Sequence, residues 1–401
     1  MQKVAELRFD DKDLRERWSH VREDFWGDLK VETLKALKNL LEKTMEIEVQ
    51  DFVGAPPWKH RPQWKQKTYR NGSYARDLLT SMGWITQLKV PRVRSGGLER
   101  RLLPRYRRRA ADVDKDVLDM FLAGVGTRRV EEVLRPLMGE RALSAATVSE
   151  IARQLDAPVK LYHSRSLPDD YVYLLLDGIY LNAKSPISVR RRCILVAYGI
   201  RKDGTRELID FRVTRKGESQ IGWECFLTSL RNRGLKGRAL RLAVVDGNKG
   251  LWNALDMVWP DLRRQRCWAH KLRNVANKLP KKLQKACTSH AHDIYAAQGR
   301  TEAIKAFKGW ARVWRPIAPE AVACLERDLE DLLCFFDEPE ELWRKLRTTN
   351  AIERTFREVR RRARPMSCFT NTLSVERIVY AIFSRQNGIW REKPLKITQN
   401  S

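Results

Sequence analysis

Residues Arg241 to Asn274 read RLAVVDGNKGLWNALDMVWPDLRRQRCWAHKLRN. The apolar run Leu242 to Val245 has the length and β-branched character of a buried strand, and it stops at Asp246 and Gly247. The spacing of Leu251, Ala254, Leu255 and Val258 then predicts an amphipathic helix that Pro260 ends. A strand that leads directly into a helix is α/β texture. It places a carboxylate at the carboxyl end of a strand, the edge where open α/β sheets gather ligands.

The flanking sequence extends this pattern in both directions. Upstream, Tyr171 to Leu176 reads as a strand ending at Asp177 and Gly178. Cys193 to Ile200 and Glu207 to Val213 read as two more strands joined by an Asp203-Gly204 hairpin turn, and Ile221 to Leu230 as a helix. Three neighbouring strands, a helix and a fourth strand, with acids at the ends of the first and fourth, predict an α/β, ribonuclease H-like catalytic core. Downstream of His270 the texture becomes almost continuous helix from Leu272 to Leu346, with Trp310, Trp314, Phe335 and Phe336 as expected core. This stretch interrupts the α/β pattern and reads as an all-helical insertion. A further helix begins near Asn350 and carries Glu353, Arg354, Arg357 and Arg361.

The N-terminal half is mostly helical. Leu14 to Glu48 has helical spacing and predicts a helical hairpin, and GAPPW with His60, Pro62 and Trp64 reads as a linker. Tyr69 to Gly97 predicts a strand, a turn at Gly83 and a second strand, lined by Arg70, Arg76, Arg92 and Arg94. Val113 to Leu122, Thr127 to Leu137 and Ser144 to Leu155 predict three short helices, the third capped by Ser144. Three short helices with a glycine-containing turn suit a helix-turn-helix as well as a plain bundle; the arginine cluster Arg105 to Arg109 favours the former. Pro158 to Pro168 reads as a hinge-like connection. The expected organisation is a helical segment and linker over 1–66, a DNA-binding region over 67–160, a catalytic domain over 161–270 and 347–401, and the helical insertion over 271–346.

Composition narrows the function classes. The chain has 401 residues, 43% of them hydrophobic, enough for more than one core. Lys and Arg number 78 against 50 Asp and Glu, a formal charge of +28 that a fold does not require and a polyanion does. No signal peptide or membrane span is legible, and seven scattered cysteines form no disulfide framework. The expectation is a soluble, cytoplasmic protein acting on nucleic acid, associated with the nucleoid when bound.

Phosphodiester chemistry requires an activated nucleophile and a stabilised leaving oxygen, and a pair of Mg²⁺ or Mn²⁺ ions held by carboxylates supplies both. Asp177 and Asp246 sit at the ends of strands expected to be neighbours, and Glu353 lies on the last helix. Each acid also has an ordinary reading, as a turn former or a helix-capping residue. Together they make a specific set. Asp210, Asp256, Asp261 and Glu358 read as residues of solvated faces or strand interiors.

The segments LLLDGIYLNAK, AVVDGNKGLWNAL, RQRCWAHKLRNV and LRTTNAIERTFREVRRRARPMSCFTN resemble the Mutator-like transposases of prokaryotic insertion sequences, and the likeness runs from about Thr68 to Trp390. The resemblance implies a DDE transposase with Asp177, Asp246 and Glu353 as catalytic and metal-holding residues and Mg²⁺ or Mn²⁺ as cofactor. It also implies the Cys-x-x-His pair Cys267 and His270 near the site. Cys287 and His290 repeat that spacing; a packed cysteine and a hydrogen-bonded histidine is preferred to a zinc site. The expected partners are double-stranded DNA, comprising terminal inverted repeats and target, and a second copy of the chain. Expected DNA contacts are Arg107, Arg108, Arg128, Arg129, Thr147, Ser149, Lys271, Arg273, Arg354, Arg357 and Arg361. The competing readings are a catalytically silent DNA-binding regulator and a ribonuclease H-like nuclease without strand transfer.

Overall fold

The computed structural model describes residues 25–57, 68–94, 97–123, 125–138, 143–184, 189–214, 217–363 and 371–396. The part of the expected hairpin before Phe25, most of the linker at 58–67 and the stretch 364–370 lie outside these residues. The chain divides into two compact units, Met1–Phe121 with Thr127–Ile151, and Leu122–Gly126 with Ala152–Ser401.

In the first unit, helix α1 (Phe25–Val53) lies on the antiparallel hairpin β1 (Arg70–Thr80) and β2 (Gly83–Val93). Its apolar stripe, Leu34, Leu37, Leu41 and Met45, meets Leu78, Ile85, Leu88 and Val90. The described part of the expected hairpin is a single 29-residue helix, whose stripe needs only the sheet face to be buried. Three short helices follow: α2 (Ala111–Leu122), α3 (Thr127–Met138) and α4 (Ala145–Arg153). They bury Val113, Val117, Val130, Leu134, Val148 and Ile151. The Ser144 hydroxyl accepts the Thr147 N–H at 3.3 Å, the expected cap.

The second unit is built on a mixed five-stranded sheet of order β5-β4-β3-β6-β7. Its strands are β3 (Tyr171–Lys184), β4 (Val189–Arg201), β5 (Arg206–Thr214), β6 (Leu242–Val245) and β7 (Arg263–Arg266). β3, β4 and β5 pair antiparallel, and β6 and β7 continue the sheet parallel to β3. One face is covered by α6 (Gln220–Asn232) and α7 (Lys249–Val258), whose Trp223, Phe226, Leu227, Leu251 and Leu255 pack on Leu174, Leu176, Leu195, Ala243 and Val245. Ser219 and Asn248 cap these two helices through Gly222 N–H and Leu251 N–H.

Two expectations fail here. Pro158 to Pro168 is not a hinge: α5 (Asp156–Ser164) occupies most of it, with Pro158 in the first turn, where its missing N–H costs nothing. α5 is tied down by the bidentate pair of Asp156 with Arg377, at 2.7 and 2.8 Å. β3 also does not end at Asp177. Its hydrogen-bonded neighbour β4 runs alongside for the whole length, so Asp177 pairs with Val196 and Gly178 with Leu195, and the Asp-Gly pair makes no turn.

β7 is a strand that its sequence, Arg-Arg-Gln-Arg, does not advertise. Gln265 is fully buried, accepting from Phe335 N–H at 2.8 Å and donating to Leu332 O at 2.9 Å, while Arg263 and Arg264 are held by Asp337 and Asp256. From there to Leu346 the structure is helical: α8 (Trp268–Ala276), α9 (Lys281–His290), α10 (His292–Tyr295), α11 (Arg300–Trp314), α12 (Pro319–Glu326), α13 (Leu329–Leu332), a 3₁₀ turn and α14 (Glu340–Leu346). Trp310, Trp314, Phe335 and Phe336 are buried among them as expected. The chain returns in α15 (Asn350–Ala363) and α16 (Thr372–Arg391), which pack on β3 and β5 respectively. No described helix is long and apolar enough to cross a membrane.

Candidate active site

The sheet register brings the first two acids together. β3 and β6 are parallel with Leu175 opposite Val244, and two further residues along each lie Asp177 and Asp246. Side chains alternate along a strand, so the Asp177 carboxylate leaves the sheet on the side away from α6 and α7, while Asp246 follows the last residue of the neighbouring β6. Glu353, in the first turn of α15, comes over the same face. Asp177, His270 and Glu353 each offer a ligand atom, and these atoms lie within 4.8 Å of one another. Asp246 stands beside this trio, its carboxylate accepting the Asn248 N–H at 2.9 Å and its backbone oxygen the Trp252 indole at 2.8 Å.

Asp177 is only 2% exposed, and one of its carboxylate oxygens has no hydrogen-bond partner. Burial pushes its pKa up to about 6, against the pull of His270 and the Thr349 hydroxyl; Asp246 and Glu353 push it further upward. An acid kept in that state gains most from a cation, so the orphaned oxygen fits a divalent ion held between Asp177 and Glu353. Glu353 is engaged by Arg273, whose guanidinium donates to Oε1 at 2.7 Å, and by His270 Nε2 at 3.9 Å.

Cys267 and His270 stand one helical turn apart at the start of α8. The neighbouring thiol, and then Asp177 and Asp246, push His270 up to about 9 against burial. Burial raises Cys267, but His270 and the Thr349 hydrogen bonds bring it below the usual thiol range. Thr349 N–H reaches its sulfur at 3.4 Å. Replacing Cys267 with Ala is therefore expected to drop the His270 titration from about 9 toward the ordinary imidazole range, read by NMR; an unmoved titration would assign the shift to the acids alone. The second Cys-x-x-His pair does not converge on a site: Cys287 is buried and His290 Nδ1 accepts the Trp314 indole at 3.1 Å.

The expected DNA contacts are scattered. Arg354 and Arg357 are exposed on α15, and Arg361 is exposed but bonded to Glu358. Lys271 is a correction: it is 1% exposed and its ammonium is bound to Asp328, which also takes Arg266 at 3.0 Å, so it holds α8 to the helical region and presents no charge outward. In the first unit Arg108 and Arg129 are exposed, and Arg107 approaches Asp114 at 3.7 Å. Thr147 and Ser149 are half-buried, with hydroxyls turned to Ser144 and the Ala145 carbonyl of their own helix. The Arg128 side chain lies outside the described residues.

One acid near the site was not anticipated. Glu218, in the short link between β5 and α6, lies over Gly178: a Cβ built there would stand 2.5 Å from Glu218 Cγ. Burial, then Asp246 and Asp177, push its pKa up to about 7. Asn248 donates to its Oε2 at 3.3 Å. In sequence it sits in the polar run KGESQ, which reads as loop; the one local signal is that Gly178 leaves room beside Asp177.

Comparison with known proteins adds an independent line. The family described as Transposase, Mutator family, matches residues 19–393. The transposase for insertion sequence element ISRM5 of Rhizobium meliloti is 32% identical over 358 residues, 89% of this chain and 88% of that protein. That for IS406 of Burkholderia multivorans is 33% identical over 358 residues, 89% and 90% of the two chains. That for IS256 in transposon Tn4001 of Staphylococcus aureus is 30% identical over 362 residues, 88% and 90%. Among solved structures, the Drosophila P element transposase strand transfer complex aligns with 70% of this chain and 80% of that one at 12% identity and a TM-score of 0.29, and no residue is transferred from it.

Proposed function

The chain belongs to the Mutator family of transposases, and on that premise we propose that it is a DDE transposase with a ribonuclease H-like core. It cuts DNA at the ends of its insertion sequence and joins the freed 3′-hydroxyl to target DNA. The observation that carries this reading is the convergence of Asp177 and Glu353, with His270, within 4.8 Å, beside Asp246 on the neighbouring strand. Asp177, Asp246 and Glu353 hold the divalent cations. When bound, Mg²⁺ or Mn²⁺ makes the attacking oxygen more acidic and neutralises charge on the leaving one.

The remaining roles belong to the chain's own side chains. Burial within the central strand β3 positions Asp177, and Asn248 steadies the Asp246 carboxylate through its N–H. Arg273 positions Glu353 and, with Arg354 and Arg357 on exposed turns, supplies positive charge to the phosphates flanking the cut. His270, cationic below about pH 9, stands where it can donate a proton to a phosphate oxygen or leaving group. The three-helix region of the first unit binds the terminal inverted repeats as a helix-turn-helix, with Arg107, Arg108 and Arg129 on the backbone. Two copies act together, because two ends must be joined.

The test is a duplex bearing the element's end, incubated with the full chain in Mg²⁺ or in chelator. Metal-dependent nicking followed by joining to a plasmid is expected. Binding without cutting identifies a silent regulator, and cutting without joining identifies a nuclease; either outcome overturns the proposal.

A further inference from the structure

We infer that Arg192 binds a phosphate of the DNA strand that enters the acidic site, and so holds that strand on the face of the sheet that carries Asp177. The inference rests on the reading of Asp177 as part of the site that cuts DNA. The first ground is position. Cys193, Leu195 and Ala197 of β4 pack with α6 and α7, so Arg192, which alternates with them, leaves the sheet on the opposite side, the side of Asp177. The register agrees: Asp177 stands across from Val196 and Leu181 across from Arg192, with no irregularity between them. The step from Asp177 to Leu181 is four residues of β3, about 13 Å at the usual strand rise. That is the axial length of about four nucleotides of one DNA strand. Arg191 is turned the other way: it is exposed, and its guanidinium lies 4.8 Å from the centre of the Tyr180 ring.

The second ground is an unmet charge. Four lysine or arginine side chains are buried among the described residues. Lys271 is bound to Asp328, Arg362 to Glu358 and Arg377 to Asp156. Arg192, only 6% exposed, has no carboxylate among the described residues, and its Nε is shut away from water with no hydrogen-bond partner. An arginine does not escape burial by giving up its proton, and a buried charge without a counter-ion destabilises the fold that contains it. The partner is therefore an anion from outside the chain. A planar guanidinium is shaped for two-pronged contact with a phosphate, and a DNA strand presents one at every nucleotide. The third ground is the need for it. Asp177, Asp246 and Glu353 repel the strand they are to act on, and a cation fixed on the Asp177 face of the sheet offsets that repulsion.

The experiment measures binding of the full chain, in chelator, to duplexes bearing the element's end, each with one uncharged methylphosphonate at a successive position around the cut. Wild type is expected to lose about tenfold in affinity at one or two adjacent positions. Arg192→Met, which keeps the length and removes the charge, is expected to bind the unmodified duplex about tenfold more weakly and to lose nothing further at those positions. Because the charge is unmatched without DNA, the same variant should melt at a higher temperature than wild type when DNA is absent. A purely structural arginine predicts the reverse, a lower melting temperature and the wild-type methylphosphonate profile, and that result overturns the inference. Arg192→Gln carries the same comparison should the Met variant not fold. Loss of self-association in sedimentation, with DNA affinity unchanged, would assign the anion to a second copy of the chain and also overturns it. The profile is read without metal, so the two readings fail separately. A wild type that binds but never nicks removes the transposase reading, whereas normal nicking with an unmoved profile in the variant removes Arg192 alone.

Discussion

Asp246→Asn is expected to abolish both nicking and joining, by a thousandfold or more, while leaving binding to the element's end intact. Asparagine preserves the volume beside Trp252 and the oxygen that accepts the Asn248 N–H. What it removes is the charge opposite Asp177 on the adjoining strand. Stabilisation of developing charge at a phosphoryl centre is an electrostatic effect in a site shielded from water. Loss of one participant there costs several kcal/mol of barrier, with each 1.4 kcal/mol worth about tenfold in rate. Protein–DNA affinity rests instead on phosphate contacts spread over a chain of net charge +28, so it should be nearly unchanged. Both steps should fall together, because one site performs them. A variant that nicks normally and fails only in joining would assign Asp246 to target capture.

Asp177→Asn should have an opposite pair of effects: no catalysis, yet a more stable fold. Burial raises Asp177 from 3.8 to about 6, so the native state holds the proton more tightly than the unfolded chain does. The penalty for ionising it is absent below about pH 4, grows as pH rises toward 6, and is complete above that. Two pH units correspond to about 3 kcal/mol. At pH 8 in chelator the melting temperature of the variant should exceed that of wild type, and the difference should vanish near pH 4. Adding Mn²⁺ should reverse the order, since only wild type gains from binding. A variant less stable than wild type at pH 8 would mean that the carboxylate is compensated by a partner and stores no strain for the cation. Sites that sacrifice stability for chemistry are expected to behave this way.

Some of this was open to inspection in the sequence. Leu242 to Val245, four apolar residues ending in Asp-Gly, announces a buried strand with an acid at its end, and the structure has it fully buried. The mixed α/β texture followed from the same local signals. What escaped depended on tertiary partners. Asp177-Gly178 carries the same two letters as Asp246-Gly247, but β4 continues beside it and the strand runs on to Lys184. Arg-Arg-Gln-Arg became β7 because Asp337, Asp256 and two main-chain groups from distant helices satisfy it. Lys271 looked like a surface charge in a basic run, and only the fold reveals Asp328 waiting for it. Glu218 reads as loop until Gly178 is seen beneath it. A polar residue's role is written in its neighbours, whereas an apolar run carries its own instruction to be buried.

The most direct measurement of the central claim is metal specificity at one ligand. Asp246→Cys replaces a hard oxygen with a soft thiolate, which Mg²⁺ binds poorly and Mn²⁺ accepts. If Asp246 touches the cation, strand transfer by this variant is lost in Mg²⁺ and restored in part by Mn²⁺, while wild type works in both. Equal activity in the two metals, or equal loss with no rescue while Asp177→Cys and Glu353→Cys are likewise indifferent to the metal, would contradict the account.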